Sequence, residues 1–96
     1  MRRCYLVCYD IRNEKRLRHV FKLMKGFGEH WQYSIFFCTL RPIDRVRMQG
    51  QLEDLMNLKE DQVLIVDLGE NQDSARAATT VLGQALGAMD MGVVVI

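Results

Sequence analysis

The segment Arg3–Tyr9 has the alternating pattern of a β-strand, and its side chains are apolar on both faces. Successive side chains of a strand point to opposite faces of the sheet. One face carries Cys4, Leu6 and Cys8, and the other carries Tyr5, Val7 and Tyr9. Such a strand needs cover on both sides, which limits the chain to folds that place it inside a packed sheet.

Helical and strand patterns alternate along the following residues. Asn13 is a good N-cap for a first helix, which the Gly-Phe-Gly at 26–28 ends. Residues 31–40 are rich in aromatic and β-branched side chains and predict one second strand. The Arg-Pro pair at 41–42 then turns the chain, and a further short strand near 39–43 is an open alternative.

The second half predicts another helix and another strand. A helix is expected at about residues 44–58, with Met48, Leu52, Leu55 and Met56 on one apolar stripe. The strand Val63–Leu68 follows and ends at Gly69. Residues 75–82 suit a helix or a strand, so the structure of residues 75–90 stays open.

This order of elements fits the ferredoxin-like split β-α-β sandwich, an α+β fold with two helices on one face of an antiparallel sheet. Because 96 residues have room for a single core, we expect one domain over residues 1–96.

The predicted sheet also implies assembly. Two short helices cover only one of its faces, and the other face then exposes an aromatic patch larger than a soluble monomer tolerates. We therefore expect a twofold homodimer that packs sheet to sheet. The C-terminal strand segment, at about 91–96, is expected to extend the partner's sheet edge.

Charge is distributed unevenly although the chain as a whole carries only +1. Residues 1–50 hold eleven Lys and Arg against four acidic residues, and residues 51–96 hold two against eight. Such asymmetry can build a basic face that attracts phosphate backbones. A solvated helix face explains the same pattern equally well.

Cysteine use and hydropathy exclude some classes of protein. Cys4, Cys8 and Cys38 leave one cysteine unpaired, unlike a secreted disulfide framework, and no further metal ligands stand at suitable spacing. The longest apolar runs are far too short to cross a bilayer. We expect a cytoplasmic protein with no membrane partner.

Asp10 stands where the first strand ends, so its carboxylate is expected at the rim of the sheet on a rigid element. In a twofold dimer, two copies could converge on one Mg²⁺ or Mn²⁺ ion, which prefers oxygen ligands and activates water. An aspartate in this position is also common as a turn residue, and the residues alone leave both interpretations open.

Cations follow Asp10 directly on the predicted helix. Arg16 and Arg18 lie off the apolar stripe, and Lys15 is adjacent to them. Contact with nucleic-acid phosphates and a solubilising helix face are equally good interpretations. Ser34 has no glycines of a nucleophile elbow around it and is expected at an ordinary strand position.

Several segments together resemble a known family in order and spacing. The pattern is an apolar strand, Tyr-Asp-Ile, a basic helix, a glycine and then a Gln-x-Ser segment, which is similar to the CRISPR-associated protein two family. The matching segments are Tyr5–Asp10, Ile11, 15–18, Val20, Gly28, 32–36, 62–69, Leu82-Gly83 and 93–96. The resemblance covers nearly the whole chain.

The resemblance implies a ferredoxin-like homodimer that works with the CRISPR integrase in spacer acquisition and cleaves RNA or DNA with Mg²⁺ or Mn²⁺. It implies that Asp10 is the metal-binding and catalytic aspartate. Its basic helix residues fall on Arg16 and Arg18, and with Lys15 these are the expected nucleic-acid contacts. The serine and phenylalanine of the family's second strand fall on Ser34, a further expected contact, and Phe36.

Two functions of different class are compatible with these features. One is a metal-dependent endonuclease that uses Asp10 from both subunits. The other is a non-catalytic scaffold whose basic surface holds duplex DNA for the integrase. The sequence leaves this choice open, together with the preference for RNA or DNA.

Overall fold

The alternating N-terminal segment forms the first strand of a four-stranded antiparallel sheet, in a computed structural model that describes residues 1–86. The elements are β1 (Arg3–Asp10), α1 (Glu14–Lys25), β2 (Glu29–Gln32), β3 (Ile35–Leu40), α2 (Pro42–Leu55), β4 (Gln62–Gly69) and α3 (Gln72–Ala77). The strand order is β2-β3-β1-β4. This order confirms the predicted α+β, ferredoxin-like arrangement. The predicted strand at 91–96 lies outside the described residues.

The two long helices begin at residues suited to a first turn. The Asn13 side chain accepts a hydrogen bond from the Arg16 amide at 2.9 Å, which confirms the predicted N-cap of α1. Helix α2 begins at Pro42, two residues earlier than expected, because proline tolerates the first turn, where its missing N–H costs nothing. Within residues 1–86, no helix is both long and apolar enough to cross a membrane.

Residues 31–40 form a hairpin, so the prediction of one continuous strand was wrong. Tyr33 and Ser34 make the turn between β2 and β3, which also corrects the expected strand position of Ser34. The turn has no positive φ angle and no glycine or asparagine to mark it. Tyr9 of β1 holds it instead, because its amide donates to the Ser34 carbonyl at 3.0 Å and its phenol to the Tyr33 carbonyl at 3.3 Å.

The alternative of a short strand near 39–43 was also wrong, because these residues belong to the end of β3 and the start of α2.

The face of the sheet beneath α1 and α2 holds the main core. Its fully buried members include Val7, Val20, Met24, Phe36 and Met48. The chain leaves α1 and enters β2 at Gly28, where a Cβ atom would lie 2.5 Å from the Cys38 sulfur and 2.7 Å from the Phe37 carbonyl oxygen. Only glycine allows this close approach of the loop to β3.

The opposite face is not left bare, which corrects the expected exposed aromatic patch. Trp31 and Phe37 stack with ring centroids 4.8 Å apart and are 8% and 2% exposed. Helix α3 covers them, with Ala75 buried in the same cluster. The undecided pattern at residues 75–82 concealed the end of this third helix.

Within residues 1–86, strand β4 forms one edge of the sheet and carries exposed apolar residues on that face. Leu64, Val66 and Leu68 are 51%, 43% and 36% exposed. Leu64 pairs with Cys8 and Val66 with Leu6, which places them on the side of Trp31 and Phe37. An aliphatic stripe thus replaces the aromatic patch that we expected.

Candidate functional site

Asp10 is the last residue of β1 and stands at the rim of the sheet, as the sequence predicts. Its backbone pairs with Gln62 of β4, and its side chain is 64% exposed. The Arg12 guanidinium lies 3.7 Å from the Asp10 carboxylate, and it is itself 68% exposed. Asp10 therefore combines a backbone held in a strand with a carboxylate open to solvent.

The hairpin turn brings Ser34 to Asp10 from a distant part of the sequence. Both residues line an open pocket of about 230 Å³. The other lining residues are Tyr9, Ile11, Leu17, Phe21 and Tyr33. Burial raises the pKa of Tyr9 to about 12, so its phenol stays protonated and keeps donating to the turn. The turn and the end of β1 thus form one unit around the pocket.

The predicted nucleic-acid contacts on α1 lie in two different environments. Lys15 and Arg18 are exposed, and neither makes an ion pair with another residue in the range 1–86. Arg16 is 24% exposed and donates from Nε to Asp61 at 2.9 Å. Its Nη2 donates to Glu60 at 2.9 Å. Lys15 and Arg18 are available to a ligand, whereas Arg16 is engaged within the fold.

Asp61 is a functional residue candidate that sequence reasoning missed. Its side chain has no exposed surface. The hydrogen bond from Arg16 outweighs the cost of burial and holds the pKa of Asp61 well below its ordinary value. The sequence from Asn57 to Asp61 suggests a loop. However, nothing near Asp61 in the chain indicates that its partner is Arg16, 45 residues away.

One copy of the chain supplies a single carboxylate to the predicted metal site. Across residues 1–86, no three His, Cys, Asp or Glu side chains are grouped so that they could hold an ion. Mg²⁺ is commonly bound through one or two carboxylates together with water and substrate phosphates. The exposed Asp10 carboxylate fits this kind of site.

The chain is similar in sequence to known proteins over most of its length. Residues 2–76 match the family described as CRISPR associated protein Cas2. The CRISPR-associated endoribonuclease Cas2 of Geobacter sulfurreducens is 46% identical over 69 residues, which cover 72% of this chain and 73% of that protein. The CRISPR-associated endoribonuclease Cas2 1 of Rhodospirillum rubrum is 40% identical over 92 residues, which cover 96% of this chain and 89% of that protein.

Solved structures share the fold. The crystal structure of Streptococcus pyogenes Cas2 at pH 6.5 superposes with a TM-score of 0.73 at 33% identity, covering 83% of this chain and 99% of that one. A hypothetical protein of Thermus thermophilus gives a TM-score of 0.75 at 28% identity, covering 88% and 94%.

Proposed function

This chain belongs to the CRISPR associated protein Cas2 family, and we propose that it is a CRISPR adaptation nuclease that hydrolyses phosphodiester bonds in nucleic acid, with Asp10 as its metal-binding residue. Two relatives that match this chain over most of both lengths are named endoribonucleases, and this supports a nuclease. The observation that carries the proposal is the exposed Asp10 carboxylate at the end of a strand, beside a pocket shared with Ser34.

Asp10, the exposed cations of α1 and Ser34 have separate tasks in this mechanism. When bound, Mg²⁺ or Mn²⁺ supplies an activated water and neutralises phosphate charge. Asp10 would hold the ion, and β1 keeps this carboxylate in place. Lys15 and Arg18 neutralise phosphates of the bound nucleic acid and keep it on the surface of α1. Ser34 offers a hydroxyl at the wall of the pocket.

We further propose that the chain acts in the cytoplasm as a homodimer of single-domain subunits. One carboxylate per copy is few for a metal site, and a twofold axis near the rim would supply a second. The exposed aliphatic stripe on β4 also favours contact with another copy.

A non-catalytic role as a DNA-binding scaffold for the CRISPR integrase is the second candidate. The Arg12 guanidinium beside Asp10 favours it, because this cation competes with a metal ion for the same carboxylate. Lys15 and Arg18 would then hold duplex DNA while the integrase performs the chemistry.

Replacement of Asp10 tests the choice between these functions. Asp10→Asn keeps the shape of the side chain and removes the charge that holds the ion. We expect it to abolish cleavage of labelled RNA or DNA with Mg²⁺ or Mn²⁺ while binding in chelator is retained. Asp54→Asn, at an exposed position of α2, is the matched control. Equal cleavage by wild type and Asp10→Asn would refute the nuclease, and absence of cleavage with intact binding would favour the scaffold.

A further inference from the structure

The carboxylate of Asp61 accepts four hydrogen bonds inside the fold. Two come from backbone amides, Arg12 at 2.9 Å and Asn57 at 2.8 Å. The other two come from the Arg16 guanidinium, from Nε at 2.9 Å and from Nη2 at 3.2 Å. Asp61 therefore joins the loop before α1, the first turn of α1 and the loop before β4.

This contact fixes the chain on both sides of buried Ile11. Gln62 pairs with Asp10 in the β1–β4 register, and the preceding Asp61 binds the amide of Arg12. The consecutive residues 61 and 62, at the start of β4, thus hold residues 10 and 12 at the end of β1. Both attachments act on the backbone from which the Asp10 side chain projects.

Arg16 is poorly suited to bind phosphate in this arrangement. Its guanidinium already bonds two carboxylates, Asp61 and Glu60, so the three groups together carry a net negative charge. Arg18, two residues further along the same helix, is exposed and has no ion pair with any residue of the range 1–86. The two arginines therefore differ in environment although the sequence pattern treats them alike.

We propose that Arg16 and Asp61 are positioning residues for Asp10, and that Arg16 supports the reaction through this contact rather than by binding nucleic acid. This inference rests on the proposed nuclease function. The Arg16 fork keeps the Asp61 carboxylate oriented toward the Arg12 amide, and that amide restrains the loop that leaves Asp10. A small displacement of a reacting group is enough to reduce a rate severely.

The first test measures binding in chelator, where no cleavage occurs. Arg16→Gln and Arg18→Gln remove the same charge from one helix, so each is the control for the other. We expect Arg18→Gln to weaken binding of a labelled oligonucleotide and to lower the slope of log K against log salt by about one unit. Arg16→Gln should leave both affinity and slope unchanged. An equal loss in the two variants would overturn the proposal.

The second test follows the Arg12 amide by NMR. Its resonance should shift, and its hydrogen exchange should become faster, in Arg16→Gln and in Asp61→Asn but not in Arg18→Gln. Arg16→Lys keeps the charge but loses the bidentate hydrogen bonding of the guanidinium. It replaces Arg16→Gln or Asp61→Asn in this measurement if either of them fails to fold. An unchanged Arg12 amide in a folded Arg16 variant would show that the contact does not restrain this loop.

The third test is kinetic. We expect kcat of Arg16→Lys to fall by about tenfold to a hundredfold with KM within about twofold, at temperatures where all variants are folded. The double variant with Asp61→Asn should lose no more than the worse single variant, because both changes break one contact. A change in KM alone would contradict positioning. If the wild type does not cleave, the nuclease proposal fails, while the binding and amide measurements still decide the role of Arg16.

Discussion

The guanidinium of Arg76 lies 4.9 Å from the centre of the Phe37 ring, on the face of the sheet opposite to α1 and α2. The same guanidinium donates to Glu29 at 2.7 Å, and Glu29 also accepts from the Trp31 indole at 2.8 Å. Helix α3 is therefore attached to β2 by an ion pair and to β3 by a cation–π contact. This attachment covers the two aromatic rings that the sequence suggested would be exposed.

We expect the Glu29–Arg76 pair to make the attachment of α3 dependent on pH. The bond from Arg76, followed by the Trp31 bond, lowers the pKa of Glu29 below its ordinary value of 4.5. The contribution of ionised Glu29 to stability is therefore complete above pH 4.5. It is lost as the pH falls through the lower pKa of Glu29 in the folded state. We expect Glu29→Gln to reduce the free energy of unfolding in urea at pH 7, with a difference that shrinks below about pH 4.5. A difference that is constant with pH would contradict this assignment, and Glu53→Gln on α2 is the control.

Two glycine replacements should change stability in opposite directions. Gly28→Ala brings a Cβ atom against the Cys38 sulfur and the Phe37 carbonyl, so we expect a loss of about 1 to 3 kcal/mol. Gly50 lies within α2, and a Cβ atom added there would meet no atom within 4 Å, so Gly50→Ala should add about 0.5 to 1 kcal/mol. Urea unfolding of both variants measures these differences, and a stable Gly28→Ala protein would mean that β3 moves to make room.

The aliphatic stripe on β4 is expected to contribute to the proposed homodimer. Val66→Lys places a charge at a 43% exposed position of this stripe and should weaken association without unfolding the subunit. Sedimentation over a concentration series measures the dissociation constant. Val46→Lys, at a 67% exposed position of α2, is the control for charge and exposure. If both variants dimerise as the wild type does, the copies meet elsewhere.

Binding of nucleic acid should weaken with salt because α1 presents exposed cations. Combining Lys15→Gln with Arg18→Gln should lower the salt slope by about two units, one for each phosphate that is no longer neutralised. Lys59→Gln removes a cation from the acidic half of the chain and should leave the slope unchanged. Fluorescence anisotropy between low and moderate salt measures the slope, and a binding constant independent of salt would exclude the basic face.

The sequence predicted correctly those features that depend on residues close together in the chain, such as the ends of α1. The Asn13 cap and the glycines after α1 act on adjacent backbone groups, so they can be read directly. The turn at Tyr33 and Ser34 could not be predicted from nearby residues, because hydrogen bonds from Tyr9 of another strand hold it.

The same distinction applies to the site. The position of Asp10 follows from the end of a strand, whereas the engagement of Arg16 depends on Asp61, a partner brought close only by the folded sheet. Pattern alone therefore grouped Arg16 with Arg18, although their environments differ.

The pairing of β1 with β4 also governs when the site can exist during synthesis. Arg3 and Asp67, joined by an ion pair across these strands, are 64 residues apart in the chain. Contacts between such distant residues form slowly, since closing a long loop costs conformational entropy before the contact stabilises it. A nascent polypeptide that ends within α2 carries Asp10, Arg12 and Arg16 but lacks the residues that hold them. The ribosome must therefore release almost the whole sheet before any newly made copy acquires a structured Asp10 loop.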